Sequence, residues 1–354
     1  MRYEERMKQR LEALRARGKA RILAIESSCD ETAAAVVEDG RVMRSNAISS
    51  QIALHALYGG VVPEIASRMH VEAVDPMIEQ ALSQAQMGFD DIDAIAVTYG
   101  PGLVGALLTG VASAKALAYA LDKPLIPVYH IEGHVSANYI AHPDLEPPMV
   151  CLVASGGHSH LVRVDHYGEY TLLGQTMDDA AGEAFDKVAR VLDIPYPGGP
   201  LLDKLAEEGD DHAYRFPKVT TEGKYDFSFS GLKTAVINQA HKLRQQGHKI
   251  NAQDFAASFR RAVVDVLAGK AVAAAQESGC GNLALAGGVA ANRLLRREIQ
   301  RRGEAAGLKV FMPPAILCTD NAAMIASAAF YRMMRGELAG LDLNAQPSLR
   351  LIEG

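Results

Sequence analysis

The chain has 354 residues, 49% of them hydrophobic, which is enough to build two domains with buried cores. Lysine and arginine (36) are outnumbered by aspartate and glutamate (42), which gives a formal net charge of −6. This charge excludes a positive electrostatic potential over the whole protein, so any contact with nucleic acid must be local or shared with a partner. The four cysteines lie far apart and no run of about 18 apolar residues occurs, so we expect free, buried thiols and a soluble, cytoplasmic protein without membrane contact.

The first 20 residues differ in character from the rest of the chain. Residues 1–21 hold eight lysines or arginines against three glutamates, and Leu11 and Leu14 form the only strong apolar pair. This composition predicts an exposed, partly helical extension over residues 1–20. A solvated tail is the favoured interpretation, and a basic arm that touches RNA is the alternative.

Two sets of predicted elements occur twice along the chain. A strand, a polar turn and a returning strand are predicted at residues 21–25, 26–31 and 32–37, and again at 149–154, 155–158 and 160–164. A strand, a glycine loop, a helix and a further strand are predicted at 94–98, 99–105, 106–121 and 125–129, and again at 282–286, 287–292, 293–302 and 308–312.

This repetition predicts a duplicated α/β fold of the kind found in actin and sugar kinases, with two lobes and a cleft between them. The Pro-rich segment 141–148 marks the boundary. We therefore expect an N-terminal lobe over residues 21–141, completed by a C-terminal helix within 321–345, and a C-terminal lobe over residues 142–320. A single doubly wound sheet is the alternative, and the antiparallel strand pairs argue against it.

A pair of histidines follows the apolar run 124–129. On a helix, His130 and His134 share a face, so both imidazoles can reach one metal ion. A zincin requires the order His-Glu-x-x-His, whereas Glu132 here lies roughly 200° around the helix from His130, which disfavours a metalloprotease. Asp320 is either the N-cap of the last helix or a third ligand from the other lobe. Two histidines and one carboxylate leave open positions and suit Fe(II) or Zn.

Two glycine loops and several acidic residues are candidate ligand contacts. Residues 155–158 and 287–292 have two possible roles: each is an ordinary tight turn, or each lets backbone N–H groups approach an anion. Because one loop lies in each type of repeated segment, a nucleotide-type ligand is favoured. A predicted helix over 178–192 carries Asp179, Glu183 and Asp186 on one face, which is either solvated or part of a site wall. A carboxylate there, or Asp203, could accept hydrogen bonds from ribose hydroxyls. The arginine-rich face of the helix that begins at Arg293 is either solvated or a contact for RNA phosphates.

Several motifs together resemble the bacterial TsaD family over nearly the whole chain, from about residue 21 to the C-terminal helix. They are residues 24–32 (AIESSCDET), 130–134 (HIEGH), 154–158 (ASGGH), 182–186 (GEAFD), 196–200 (YPGGP), 227–233 (FSFSGLK), 286–292 (AGGVAAN) and 318–321 (CTDN). The first 20 residues depart from the usual start of this family.

The resemblance implies an actin-like (ASKHA) fold and transfer of an L-threonylcarbamoyl group from threonylcarbamoyl-AMP to N6 of the adenosine 3′ of the anticodon, in tRNAs that read ANN codons. It implies one metal ion per subunit, usually Fe²⁺ with Zn²⁺ possible, held by His130, His134 and Asp320. It also implies two partner proteins, the inactive paralogue TsaB and the ATPase TsaE. The adenylate contacts carried over from the family are Val153, Ala154, Ser155, Gly156, Gly157, Asp186, Gly199, Asp203 and Asn292.

The motifs do not identify the group that takes the N6 proton, and Asp30 and Glu31 are the candidates. Two other classes of function remain open at this point. A metallo-endopeptidase would use the histidine pair, although the order of its motif counts against it. A non-catalytic scaffold would be a paralogue of this fold that has lost its site, and the retained His130, His134 and Asp320 argue for activity.

Overall fold

The computed structural model describes residues 3–217 and 220–351. The strands are β1 (Arg21–Glu26), β2 (Glu31–Glu38), β3 (Val42–Met43), β4 (Ala47–Ser50), β5 (Ala94–Gly100), β6 (Leu125–Tyr129), β7 (Met149–Ala154), β8 (Ser159–His166), β9 (Glu169–Gln175), β10 (Asn282–Ala286) and β11 (Lys309–Phe311). The helices are α1 (Tyr3–Arg17), α2 (Ile52–Ala56), α3 (Pro63–Ala85), α4 (Val104–Ala120), α5 (His130–Ala141), α6 (Ala181–Val191), α7 (Gly198–Ala206), α8 (Ser230–Gln245), α9 (Ala252–Glu277), α10 (Arg293–Ala305), α11 (Ala315–Cys318) and α12 (Ala322–Arg335). Short 3-10 helices cover Phe89–Asp91 and Gly288–Ala291.

The chain divides into two compact units. The first comprises residues 3–146, 167–169 and 319–351, and the second comprises residues 147–166 and 170–318 apart from the two that are not described. The sequence-based division placed residues 142–146, 167–169, 319 and 320 in the C-terminal lobe, whereas here they belong to the first unit. Residues 319 and 320 belong to the first unit because they lead into α12, which packs against α5, β1 and β2.

The two units contain sheets of the same topology. In the first, the order is β3-β2-β1-β5-β6, with β1 antiparallel to β2 and parallel to β5. In the second, the order is β11-β10-β7-β8-β9, with β7 antiparallel to β8 and parallel to β10. The strands β2-β1-β5-β6 therefore correspond one by one to β8-β7-β10-β11. This repetition confirms the predicted duplicated actin-like α/β fold.

Both sheets are buried because their central strands are apolar on both faces. Strand β7 is fully buried along its length, and β5 likewise contains only buried residues. Such continuous apolar runs are typical of strands covered by helices on both sides. The thiols of Cys151, Cys280 and Cys318 are buried and free, as predicted, while Cys29 is only partly buried. No helix of the described residues is both long and apolar enough to cross a membrane.

The N-terminal extension is not the exposed tail that its composition predicted. Within its described part, α1 buries Met7, Leu11 and Leu14. The Arg6 guanidinium donates to Asp122 Oδ1 at 2.8 and 3.0 Å, and Arg15 Nε donates to the Met334 carbonyl at 2.9 Å. The prediction was wrong because the apolar side chains of α1 pack against a surface that is formed by residues far away in the sequence. Met1 and Arg2 lie outside the described residues.

Truncating the side chain at the centre of this contact should destabilise the first unit. Met7 is 0% exposed, so Met7→Ala leaves a cavity and should lower the free energy of unfolding by about 2–5 kcal/mol. Urea denaturation followed by circular dichroism measures this change. Lys8→Ala, on the exposed face of the same helix, is the control and should change it by less than about 0.5 kcal/mol. Equal stabilities of the two variants would show that α1 does not contribute to the core.

Candidate functional site

The predicted histidine pair lies at the start of a buried helix. Strand β6 leads directly into α5, and all but the last two residues of α5 are buried. His130 is 5% exposed and His134 is 0% exposed. Their ring centroids are 4.7 Å apart because residues four positions apart share a helix face. The helical context that the spacing predicted is therefore present.

Asp320 is the third member of this cluster. Its Oδ1 lies 3.4 Å from His130 Nε2 and 3.3 Å from His134 Nε2. The alternative role as helix cap belongs to the next residue, since Asn321 Oδ1 accepts the N–H of Met324 at 3.0 Å. The Asp320 carboxylate is thus left to face the histidines. One potential ligand atom from each of the three residues lies within 4.8 Å of the others.

A buried glutamate orients the first histidine. Glu26 Oε2 is 3.0 Å from His130 Nδ1, which directs Nε2 of the same ring towards Asp320. Glu26 is itself held by the Thr98 hydroxyl, which donates to Oε2 at 2.6 Å, and by the Ser28 N–H, which donates to Oε1 at 2.5 Å. A carboxylate on the far nitrogen of a ligating histidine is a common arrangement around protein-bound metals.

The electrostatics of the cluster suit a cation. Burial raises the pKa of Asp320, but the charge and hydrogen bond of His130 outweigh it and hold that pKa well below the ordinary value. Nδ1 of the buried His134 has no hydrogen-bond partner within the described residues, and its Nε2 faces Asp320. Ligands about 2.1 Å from a tetrahedral ion are about 3.4 Å apart, which matches the separations of Asp320 from both imidazoles. The donor set therefore fits a divalent transition metal ion.

Asp30 directly precedes β2 and Glu31 is the first residue of that strand, in the same unit as the cluster. Asp30 is buried, and Glu31 Oε1 accepts a hydrogen bond from the Ser50 hydroxyl at 3.2 Å. Burial raises the pKa of Glu31 to about 9, and the nearby carboxylates of Asp320 and Asp30 add to this rise. At neutral pH a carboxyl group with this pKa is protonated, so it can donate a proton but does not accept one.

The first predicted adenylate-binding loop follows β7 in the second unit. Val153 and Ala154 end the buried strand, while Gly156 and Gly157 are exposed. This loop lies against the start of α6, because the Gly182 N–H donates to the Ser155 carbonyl and the Glu183 N–H donates to the Gly156 carbonyl, both at 3.2 Å.

Two glycines outside this loop allow that packing. A Cβ on Gly182 would lie 2.7 Å from the Ser155 carbonyl oxygen. A Cβ on Gly287, which has φ +84°, would lie 2.4 Å from the carbonyl oxygen of Ala154. Glycine at these positions therefore brings α6 and the second loop against the first.

The predicted acidic stripe separates into residues with different roles. Helix α6 begins at Ala181, so Asp179 precedes it rather than lying on its face, and Asp179 instead pairs with Lys187 and Lys233 at 2.9 and 2.5 Å. Asp186 Oδ1 accepts the Gly199 N–H at 3.0 Å. The structure thus brings two of the predicted contacts, Asp186 and Gly199, together.

Asp203 and Asn292 are also neighbours, with Asn292 Nδ2 donating to Asp203 Oδ1 at 2.8 Å. Sequence reasoning missed the residue that holds them, which is Arg260. This guanidinium is 3% exposed and contacts Asp203 at 2.8 Å and Glu207 at 2.5 Å. No sequence signal marks Arg260, because a second arginine, Arg261, follows it directly and its side chain is partly exposed. Asp203 is therefore part of a buried network that supports the second glycine loop.

The arginine-rich helix α10 is largely paired within its own unit. Ion pairs of 2.8 and 2.7 Å join Arg301 and Arg302 to Glu298, and Arg261 contacts the same carboxylate at 3.2 Å. Burial raises the pKa of Glu298, but the hydrogen bonds from these three arginines outweigh it and lower that pKa to about 2. These contacts favour a structural role for this face over a phosphate-binding one.

This depressed pKa predicts a pH dependence of stability. A carboxylate whose folded pKa is about 2, against an ordinary value of 4.5, stabilises the fold above pH 4.5 and loses that contribution between pH 4.5 and about 2. Glu298→Gln should therefore lower the free energy of unfolding at pH 7 by about 2 kcal/mol and flatten its decline across that acid window. Urea denaturation between pH 2 and pH 7 tests this. Glu304→Gln, on the exposed face of α10, is the control, and identical pH profiles for both variants would contradict the assignment.

Comparisons with known proteins identify the family of the chain. The model of the family TsaD, described as tRNA N6-adenosine threonylcarbamoyltransferase, matches residues 42–327. A curated protein of that name from Clostridium perfringens (strain SM101) is 58% identical over 333 residues, covering 94% of this chain and 98% of its own length. A protein of the same name from Moorella thermoacetica is 59% identical over 331 residues, which covers 93% of this chain and 97% of its own length.

Among solved structures, HypF from T. kodakarensis superposes with a TM-score of 0.62 at 17% identity, covering 89% of this chain and 48% of its own, which supports the fold. The family match favours a transferase over the metallo-endopeptidase and scaffold alternatives. The chain therefore belongs to the TsaD family and is an enzyme of the tRNA N6-adenosine threonylcarbamoyltransferase class.

Proposed function

We propose that this enzyme transfers the L-threonylcarbamoyl group of threonylcarbamoyl-AMP to N6 of the adenosine 3′ of the anticodon, in tRNAs that read ANN codons. The observation that carries the proposal is the cluster of His130, His134 and Asp320 in a chain of this family. The bond that forms joins N6 to the carbamoyl carbon, and the bond that breaks joins that carbon to the phosphate oxygen of AMP. AMP is the leaving group, and N6 loses one proton.

The chemistry explains why an activated donor is needed. The lone pair of an adenine N6 is delocalised into the ring, so the amine is a poor nucleophile. A mixed anhydride with AMP provides a good leaving group. Asp30 and Glu31 are the candidates for taking up the N6 proton, and Glu31 can do so only where a bound cation offsets the burial and the carboxylates that raise its pKa.

His130, His134 and Asp320 would hold one metal ion per subunit, either Fe²⁺ or Zn²⁺. When bound, such an ion supplies Lewis-acid polarisation of the acyl donor and orients it. Glu26 would fix the ring of His130 through Nδ1, so that Nε2 keeps its direction. The two histidines and Asp320 together leave coordination positions for the substrate.

The residues of the second unit would bind the adenylate. The exposed backbone of Gly156 and Gly157 lets a phosphate approach without a Cβ clash, and no atom lies within 4 Å of either Cβ position in the described part of the chain. The pairs Asp186–Gly199 and Asp203–Asn292 place polar groups on α6, α7 and the start of α10. We propose that they contact the nucleoside, together with residues 153–155.

The partners proposed here are tRNA, the paralogue TsaB and the ATPase TsaE, and the location is the cytoplasm, where tRNA is modified. The net charge of −6 supports a requirement for a partner in tRNA binding.

Reconstitution tests the reaction and its partners. The purified chain is combined with threonine, bicarbonate, ATP, the adenylate-forming enzyme, unmodified tRNA, TsaB and TsaE, and each protein is omitted in turn. Threonylcarbamoyladenosine should form only when this chain is present, and nucleoside analysis by mass spectrometry measures it. Undiminished product without this chain would contradict the proposed activity.

A further inference from the structure

A buried ion pair joins the helix of the histidine pair to the helix that follows Asp320. Glu132 lies on α5, and its Oε2 accepts a hydrogen bond from Arg332 Nη1 of α12 at 2.7 Å. Both residues are only 6% exposed. Arg332 Nη2 also contacts Glu337 at 2.5 Å. Burying opposite charges requires costly desolvation, so a pair of this kind is weak evidence for stability alone and raises the question of what else it does.

Glu132 is not placed to act as a further metal ligand. Glu132 lies between the two histidines in sequence. Helical residues that are two positions apart, such as His130 and Glu132, are separated by roughly 200° of rotation about the helix axis. His130 and His134 share one face of α5, so Glu132 occupies the opposite face. There it meets Arg332 rather than the carboxylate of Asp320.

The other contacts between α5 and α12 are mostly apolar, apart from a hydrogen bond that the Ser327 hydroxyl of α12 donates to the Ser136 carbonyl of α5 at 3.2 Å. A Cβ on Gly133 would lie 2.6 Å from Ile325 Cδ1, so the helices touch at this glycine. The rings of Tyr139 and Tyr331 meet edge to face with centroids 5.1 Å apart. Apolar contacts of this kind are non-directional and can accommodate small shifts between helices. A charged hydrogen bond prefers one geometry and so resists such shifts.

The spacing of the metal cluster depends on how these two helices are held together. His130 and His134 belong to α5, whereas Asp320 lies two residues before the start of α12. A displacement of α12 along α5 would therefore change the distances from Asp320 Oδ1 to both imidazoles. Metal coordination tolerates distance changes of only about 0.2 Å.

We infer that Glu132 and Arg332 are a positioning pair, which fixes α12 against α5 and so holds Asp320 at coordination distance from the two histidines. This inference rests on the metal site of the proposed function. It assigns a role to the acidic residue of the HIEGH motif on the face opposite the candidate ligands, and it adds Arg332, which no sequence motif indicated.

Binding of Co²⁺ to the full-length protein tests this role without any transfer assay. Glu132→Gln removes the charge at nearly constant shape and should weaken Co²⁺ binding about 10- to 100-fold, as other changes to groups that orient metal ligands do. The visible absorption of the bound Co²⁺ should change as well, since its ligand geometry changes. Arg335→Met is the matched control, because Arg335 also contacts Glu337 from α12 but is 39% exposed, and it should bind Co²⁺ as the unaltered chain does.

The double variant Glu132→Leu, Arg332→Met separates positioning from stability. It leaves no unpaired buried charge, so it should fold with a far-ultraviolet circular dichroism spectrum like that of the unaltered protein. We expect it to bind Co²⁺ as weakly as Glu132→Gln. A folded double variant with unchanged Co²⁺ affinity and spectrum would overturn the positioning role alone. Absence of Co²⁺ binding by the unaltered chain would overturn the metal site itself, and with it this inference.

Discussion

His134→Ala is expected to abolish metal uptake and to lower the rate of threonylcarbamoyl transfer by about 1000-fold. The substitution removes one of the three proposed ligands. Stabilisation by a bound metal ion amounts to several kcal/mol, and each 1.36 kcal/mol is a factor of ten in rate. The fold should persist, because Nδ1 of this buried side chain has no hydrogen-bond partner among the described residues and Nε2 contacts Asp320, another proposed ligand. Elemental analysis, circular dichroism and the reconstituted assay measure the three quantities.

The control for this prediction is His142→Ala. His142 directly follows α5 at its far end and is not part of the cluster. It should retain metal and activity. Full transfer by His134→Ala in the absence of bound metal would remove the metal from the proposed mechanism while leaving the family assignment intact.

Arg260→Met is expected to lower the free energy of unfolding by about 3–5 kcal/mol. It leaves the carboxylates of Asp203 and Glu207 without their buried cation, and breaking a buried pair by removing one partner has a cost of this size. Because Asp203 also accepts from Asn292 Nδ2 and from the Arg293 N–H, the second glycine loop should lose its support. We therefore also expect a raised KM for threonylcarbamoyl-AMP.

Arg297→Met provides the comparison. Arg297 reaches the same Glu207 carboxylate at 3.4 Å, but its side chain is 59% exposed, and exposed pairs contribute about 0–1 kcal/mol. Urea denaturation and the dependence of the initial rate on donor concentration distinguish the two variants. Equal stabilities of Arg260→Met and Arg297→Met would refute the argument that burial makes Arg260 essential.

Local periodicity explains why part of the site could be predicted from the sequence. The spacing of His130 and His134 places both on one face of any helix, whatever the helix packs against. The two strand-turn-strand segments and the two strand-loop-helix segments are likewise local patterns, so the duplicated α/β architecture could be inferred from them, although the strand order within each sheet could not. The glycine loops were located for the same reason, since the need for glycine at Gly287 arises in a single tight turn.

Contacts between distant segments were not predictable in this way. The composition of α1 is that of a solvated helix, and only the fold shows that Met7 is fully buried. Asp320 and Asn321 are equally good caps by residue type, and the structure assigns the cap to Asn321. Arg260 and Arg332 are ordinary arginines in the sequence, and their importance comes from acidic partners 53 to 200 positions away.

The sequence alone determined the residue types of the candidate metal centre, the repeated order of strands and the family resemblance, because these depend on short-range periodicity and on motifs. The tertiary structure alone decided that Asp320 faces the histidines rather than capping the last helix, which unit supplies it and which buried charges hold the helices together. The physical reason is that close contacts between distant segments depend on how whole elements pack, and packing is set by the combined burial of many side chains rather than by any local pattern.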